Sequence, residues 1–153
     1  MTSEPQSPRL RAPWPSGRKS RVKRIVTYDG DLEIAHAPLS VTLTLEDEID
    51  ISRGDMLSTG AEPQNARALE ATVVWFDGTP LDPTKEYLLK HTTQTIRARV
   101  ETDSVLKMND IGEVRIALAQ PLFFDAYKSN RTTGSFILID RETNATAGAG
   151  MIR

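Results

Sequence analysis

Short runs in which every second residue is apolar, divided by turn residues at close intervals, restrict this chain to an all-β fold. In Val41-Thr42-Leu43-Thr44-Leu45, positions 41, 43 and 45 face one way and the threonines the other, which is the pattern of a half-buried strand. The alternation begins at residues 21–26 and returns at 96–100 and 114–118. Residues 69–76 and 135–139 are more continuously apolar, which suits strands covered on both faces. Between these runs stand Asp29-Gly30, Arg53-Gly54-Asp55, Asp77-Gly78-Thr79-Pro80, Asn109-Asp110-Ile111-Gly112 and Thr133-Gly134, all residues that favour turns. Roughly seven strands follow, with no helix longer than two turns, and the spacing points to a barrel or sandwich.

The stretch Thr59-Gly60-Ala61-Glu62-Pro63-Gln64-Asn65 has no apolar period. It sets residues 59–67 apart as a linker between a unit at 18–58 and a second at 68–153. The second is long enough to close a barrel around its own core, whereas the first has room for three or four strands and is marginal alone. Charge divides the chain differently. The first 24 residues hold seven basic side chains against Glu4, so the remainder is net −8 although the whole is −2. Pro5, Pro8, Pro13 and Pro15 fall in the same region, and residues 1–17 are expected to be a disordered basic arm. Such an arm could bind RNA through counterion release, with Arg21, Lys23 and Arg24 extending a phosphate track. The acidic remainder and the few aromatics argue against nucleic acid as the partner.

Much chemistry is excluded. With no cysteine there is neither thiol catalysis nor a thiolate zinc site. No apolar run approaches the roughly 18 residues of a membrane span and no signal peptide opens the chain, so the expected compartment is the cytoplasm. Ser16-Gly17-Arg18-Lys19-Ser20 lacks the first glycine and the preceding strand of a phosphate loop and reads as a basic turn. Gly148-Ala149-Gly150 has no helix after it and reads as a tight final strand or bulge. His36 and His91 lack metal-ligand spacing, and His91 reads as a hydrogen-bonded structural residue rather than a general base. Glu46-Asp47-Glu48-Ile49-Asp50 lacks the glycine of a calcium loop and reads as a solvated turn. No catalytic, cofactor-binding or metal residue is assigned.

One corner stands out. Asn130-Arg131-Thr132-Thr133-Gly134 feeds directly into the apolar run 135–139. Arg131 there could grip a carboxylate or phosphate in a fork, with Asn130 and Thr133 fixing the turn; alternatively Arg131 packs on a neighbouring loop and closes the barrel.

Several long blocks carry a family resemblance. Residues 20–32 and 45–57, Tyr87-Leu88-Leu89-Lys90-His91-Thr92-Thr93, Asn109-Asp110-Ile111-Gly112, and residues 130–140 and 143–152 resemble the GTPase subunit of bacterial sulfate adenylyltransferase, itself similar to elongation factor Tu. In that family a GTP-binding domain is followed by two β-barrels. The resemblance implies that this chain holds the end of the second domain, as a partial barrel, and the complete third-domain barrel. It implies no nucleotide, magnesium or catalytic residue on this chain, since GTP and Mg would bind the missing domain. The chain alone is then expected neither to bind GTP nor to form product. Its implied partners are the catalytic subunit, which makes adenosine 5′-phosphosulfate from ATP and sulfate, and a separately encoded GTPase domain. Asn130, Arg131, Thr133 and Gly134 are the candidate partner contact.

Overall fold

The computed structural model describes residues 9–11 (as backbone), 18–58 and 63–153, and every regular element among them is a β-strand. Among the described residues no helix is long and apolar enough to cross a membrane. The chain divides into two units, Met1–Glu62 and Pro63–Arg153.

The first unit is a four-stranded antiparallel sheet of β1 (Arg9–Arg11), β2 (Lys19–Thr27), β3 (Gly30–Leu32) and β4 (Thr42–Leu45). β2 is its centre: it pairs β1 through residues 19–21, β3 through 25–27 and β4 through 22–26. The β2–β3 turn works because Gly30 takes φ +128°, open to glycine but not to other residues. Across this hairpin the Arg24 guanidinium clasps Asp31 with two hydrogen bonds, Nη2 at 2.7 Å from Oδ1. That bond, before any other cause, holds the Asp31 carboxyl below its ordinary pKa. Among the described residues Val22 is the unit's one buried hydrophobic side chain, and Tyr28, Ile34 and Leu39 stand exposed.

Within the arm expected to be disordered, Arg9–Arg11 form β1, because the N-terminal end of β2 offers unpaired backbone donors and acceptors. The rest of the arm, and linker residues 59–62, lie outside the described residues. Lys19 and Ser20, read as part of a turn, already belong to β2.

The second unit is a closed barrel in the order β10-β5-β8-β7-β6-β9, every neighbouring pair antiparallel. Its strands are β5 (Gln64–Trp75), β6 (Tyr87–His91), β7 (Gln94–Glu101), β8 (Ile111–Phe124), β9 (Ser135–Asp140) and β10 (Thr146–Ile152). Alternate residues fill the interior: Leu69, Val73, Leu89, Val100, Ile116 and Leu138 are buried. Trp75 and Tyr87 meet edge to face at 5.6 Å, and the indole N–H donates to the Thr79 carbonyl at 2.8 Å, so neither buried ring strands a polar group. The glycines of β10 belong to this packing, since a side chain at Gly150 would collide with the Phe136 ring. Of the final strand or bulge expected at Gly148-Ala149-Gly150, the strand is what these residues form, and β10 shifts register against β9 just before them, between Thr146 and Gly148.

Two boundaries differ from the sequence reading. β5 begins at Gln64, inside the expected linker, because residues 64–66 pair with 122–124 of β8; Gln64 and Asn65 are exposed and only Ala66 packs against the core, so no apolar period marks them. β8 runs through Pro121 to Phe124. The proline is tolerated because it falls where the β5–β8 register jumps between Ala66–Leu122 and Ala68–Ala117, leaving its missing N–H unneeded there.

Candidate functional site

The corner singled out from sequence lies between the end of β8 at Phe124 and the start of β9 at Ser135. Asp125 organises it. Its Oδ2 accepts the Thr133 hydroxyl at 2.6 Å and the Asn130 amide at 3.4 Å. Asn130 Oδ1 accepts the Thr132 N–H at 3.1 Å, the local bond by which asparagine stabilises a turn. The corner is also tied to its surroundings: the Ile152 N–H donates to the Gly134 carbonyl at 2.8 Å, and the Tyr127 N–H to the Ile152 carbonyl at 2.9 Å.

His91, buried at the end of β6, sits 2.7 Å through Nε2 from the Thr133 carbonyl. A carbonyl only accepts, so Nε2 carries the hydrogen. The histidine therefore braces the corner, matching its structural reading. Gly134 is buried against the Tyr127 backbone and the Asn130 carbonyl, and a Cβ there would overlap both.

The four candidate residues thus divide in role. Asn130 and Arg131 are exposed, Thr133 is half-buried with its hydroxyl engaged, and Gly134 is buried. The Arg131 guanidinium stands 6.0 Å from the Tyr127 ring centroid, within cation–π range. It has no carboxylate partner among the described residues, whereas Lys85, Arg99, Arg115, Arg141 and Arg153 are all paired. Beside the corner an open groove of about 710 Å³ crosses the outer face of the barrel. Sequence reasoning missed Asp125, Tyr127 and Lys90, whose parts in the corner and groove depend on contacts between elements.

Elsewhere, the acidic run 46–50 is mostly exposed, and no group of three or more His, Asp or Glu among the described residues could hold a metal. Arg24, one cation of the supposed phosphate track, is occupied by Asp31.

Known proteins are similar to this chain. The family described as GTP-eEF1A C-terminal domain-like matches residues 100–153. The bifunctional enzyme CysN/CysC of Rhodopirellula baltica is 50% identical over 90% of this chain, and sulfate adenylyltransferase subunit 1 of Colwellia psychrerythraea is 46% identical over 90%. The chain is homologous to sulfate adenylyltransferase subunit 1. The bifunctional enzyme NodQ of a Rhizobium species is similar too, at 48% identity over 90% of this chain. The homology is partial in one respect: the chain spans about a quarter to a third of the length of these relatives, 24%, 33% and 24% in turn. A crystal structure of Sup35 complexed with GMPPNP superimposes on 96% of the chain with a TM-score of 0.75 at 13% identity, matching 40% of that protein. At that identity the likeness is one of fold: the elongation-factor-type barrel expected from the sequence.

Proposed function

We propose that this chain is a non-catalytic β-barrel portion of the GTP-regulated subunit of sulfate adenylyltransferase, acting in the cytoplasm as a scaffold and partner-contact module. The reading is carried by identities of 43–50% over about nine tenths of the chain to subunit 1 and its bifunctional relatives. The reaction served is adenylyl transfer from ATP to sulfate, giving adenosine 5′-phosphosulfate and pyrophosphate, on a separate catalytic subunit. GTP and its magnesium belong to the part of the longer relatives that this chain does not span. The chain's own contribution is a rigid barrel that holds Asn130 and Arg131 out toward the catalytic subunit, with Asp125, Thr133, His91 and Gly134 fixing the corner behind them.

The test is a pull-down with the catalytic subunit, with and without a separately expressed GTPase domain, followed by an assay for adenosine 5′-phosphosulfate. Binding with GTP-stimulated synthesis supports the reading; absence of binding under both conditions overturns it. Arg131→Ala should weaken capture while changing barrel stability by no more than about 0.5 kcal/mol, the range of an exposed substitution. A large loss of stability would assign Arg131 to closing the barrel.

A further inference from the structure

The wall of the barrel is uneven. On β7 and β8 the exposed positions include Arg97, Arg99, Glu101, Glu113 and Arg115, as a strand facing water should. The outward positions of β5 and β9 are mixed: Glu70, Thr72 and Ser135 are polar, whereas Val74, Ile137 and Ile139 are apolar and only half-buried. Val74 and Ile137 form part of one register row across five strands: Lys90, Ile137, Ala149, Val74 and Ile111. Ile111 is 67% exposed at the end of that row. Met151 adds to the apolar floor of the groove.

The groove is also electrically biased. Lys90 and Arg131 line it and no Asp or Glu does, although residues 63–153 hold eleven acidic and eleven basic side chains. Neither cation has a carboxylate partner among the described residues. Arg131 is poised over Tyr127, itself part of the lining. Thr92, also in the lining, holds φ +49° as the first residue of the two-residue turn joining β6 to β7.

We propose that this groove docks a short segment of a partner protein in which apolar side chains alternate with carboxylates. Apolar side chains would cover Ile137, Ala149, Val74 and Met151, and carboxylates would pair with Lys90 and Arg131. The closed barrel offers no free strand edge, so recognition runs through side chains rather than an added strand. The proposal rests on the corner being a partner contact and names the chemistry of what meets it.

The test uses the full chain and a displayed library of random twelve-residue peptides. Enriched binders should carry Asp or Glu beside apolar residues. Ala149→Tyr fills the floor from a strand position that accepts an aromatic residue, and should weaken those binders about tenfold or more. The Lys90→Glu and Arg131→Glu pair should lose them and instead select peptides rich in Lys and Arg. Circular dichroism confirms that each variant keeps its sheet content. Binders without acidic bias, or binders indifferent to both Ala149→Tyr and the charge reversal, overturn the proposal. So does concentration-dependent self-association abolished by Ala149→Tyr, which would make a second copy the occupant. The pull-down separates the two readings. Catalytic subunit captured equally by wild type and Ala149→Tyr removes the groove and leaves the proposed function standing. Acidic peptides bound at the groove without capture of the catalytic subunit keep the groove and remove that partner.

Discussion

The sheet of residues 18–58 and the barrel of 63–153 are built from the same alternating strands, yet the barrel carries nearly all the buried apolar surface. Among the described residues Val22 is the one buried hydrophobic side chain outside it. Closure is the cause. Six strands paired in a ring leave no edge unpaired and enclose a volume that inward side chains must fill. An open sheet of short strands has neither advantage, and its half-buried Leu43 and Leu45 keep contact with water. Strand propensity therefore makes sheets in both units, and topology decides which becomes a stable core.

The largest effect that could break this contrast is a matched pair of truncations. Leu138→Ala, at a side chain with no exposure, should destabilise the barrel by about 3–4 kcal/mol. Leu43→Ala should cost its unit about 1 kcal/mol, because water already reaches that site. Urea denaturation followed by methyl NMR separates the two, and equal losses would contradict the contrast. Next comes Gly134→Ala, where the new methyl must displace the Tyr127 backbone; it should lower barrel stability by about 2 kcal/mol and leave the first unit's midpoint unchanged. Thermal melts followed by NMR report both.

The smallest effect is the response to acid. Asp140 accepts backbone N–H bonds from Thr143 and Glu142, with Lys85 nearby, and the Thr143 bond contributes most to holding its pKa below the usual carboxylate value. Asp82 is lowered likewise, first by the Thr84 hydroxyl. A lowered folded pKa contributes stability that is fully present above the unfolded value and lost as pH falls through the folded one. Barrel stability should therefore decline below about pH 4. Asp140→Asn should shallow that decline, as measured by urea midpoints across pH, and an unchanged slope would remove Asp140 as a source.

The strands themselves were legible because period two is a local signal. Residues 96–100 and 114–118 alternate in burial as written, 41–45 only in part, since β4 starts at Thr42 and Thr44 is half-buried like Leu43 and Leu45, and the turn at Asp29-Gly30 lies where β2 meets β3. What escaped was set by partners rather than by neighbours in the chain. Gln64 to Ala68 extend β5 only because β8 is long enough to pair with them, and Pro121 passes through a strand only because the register jumps beside it. The corner's polarity was readable at Asn130 and Arg131. Its support was not, since the Asp125 carboxylate, the His91 ring and the Tyr127 face reach it from other points in the fold. The coverage expected on both faces of 69–76 and 135–139 was half right within the barrel: the inner face is filled, while on the outer face Val74 and Ile137 line the groove and Glu70 is exposed.

The most direct test of the contrast is amide hydrogen exchange on the isolated chain, comparing Leu43 in β4 with Ile137 in β9. Both lie in paired strands, Leu43 opposite Ile25 in a strand with one neighbour and Ile137 between Lys90 and Ala149 in a strand with two, and their protection reports how readily each unit opens. Ile137 should exchange only with global opening of the barrel, and Leu43 at least about a hundredfold faster, since roughly 2.7 kcal/mol of separation gives that ratio. Leu43 protected as strongly as Ile137 would contradict the account.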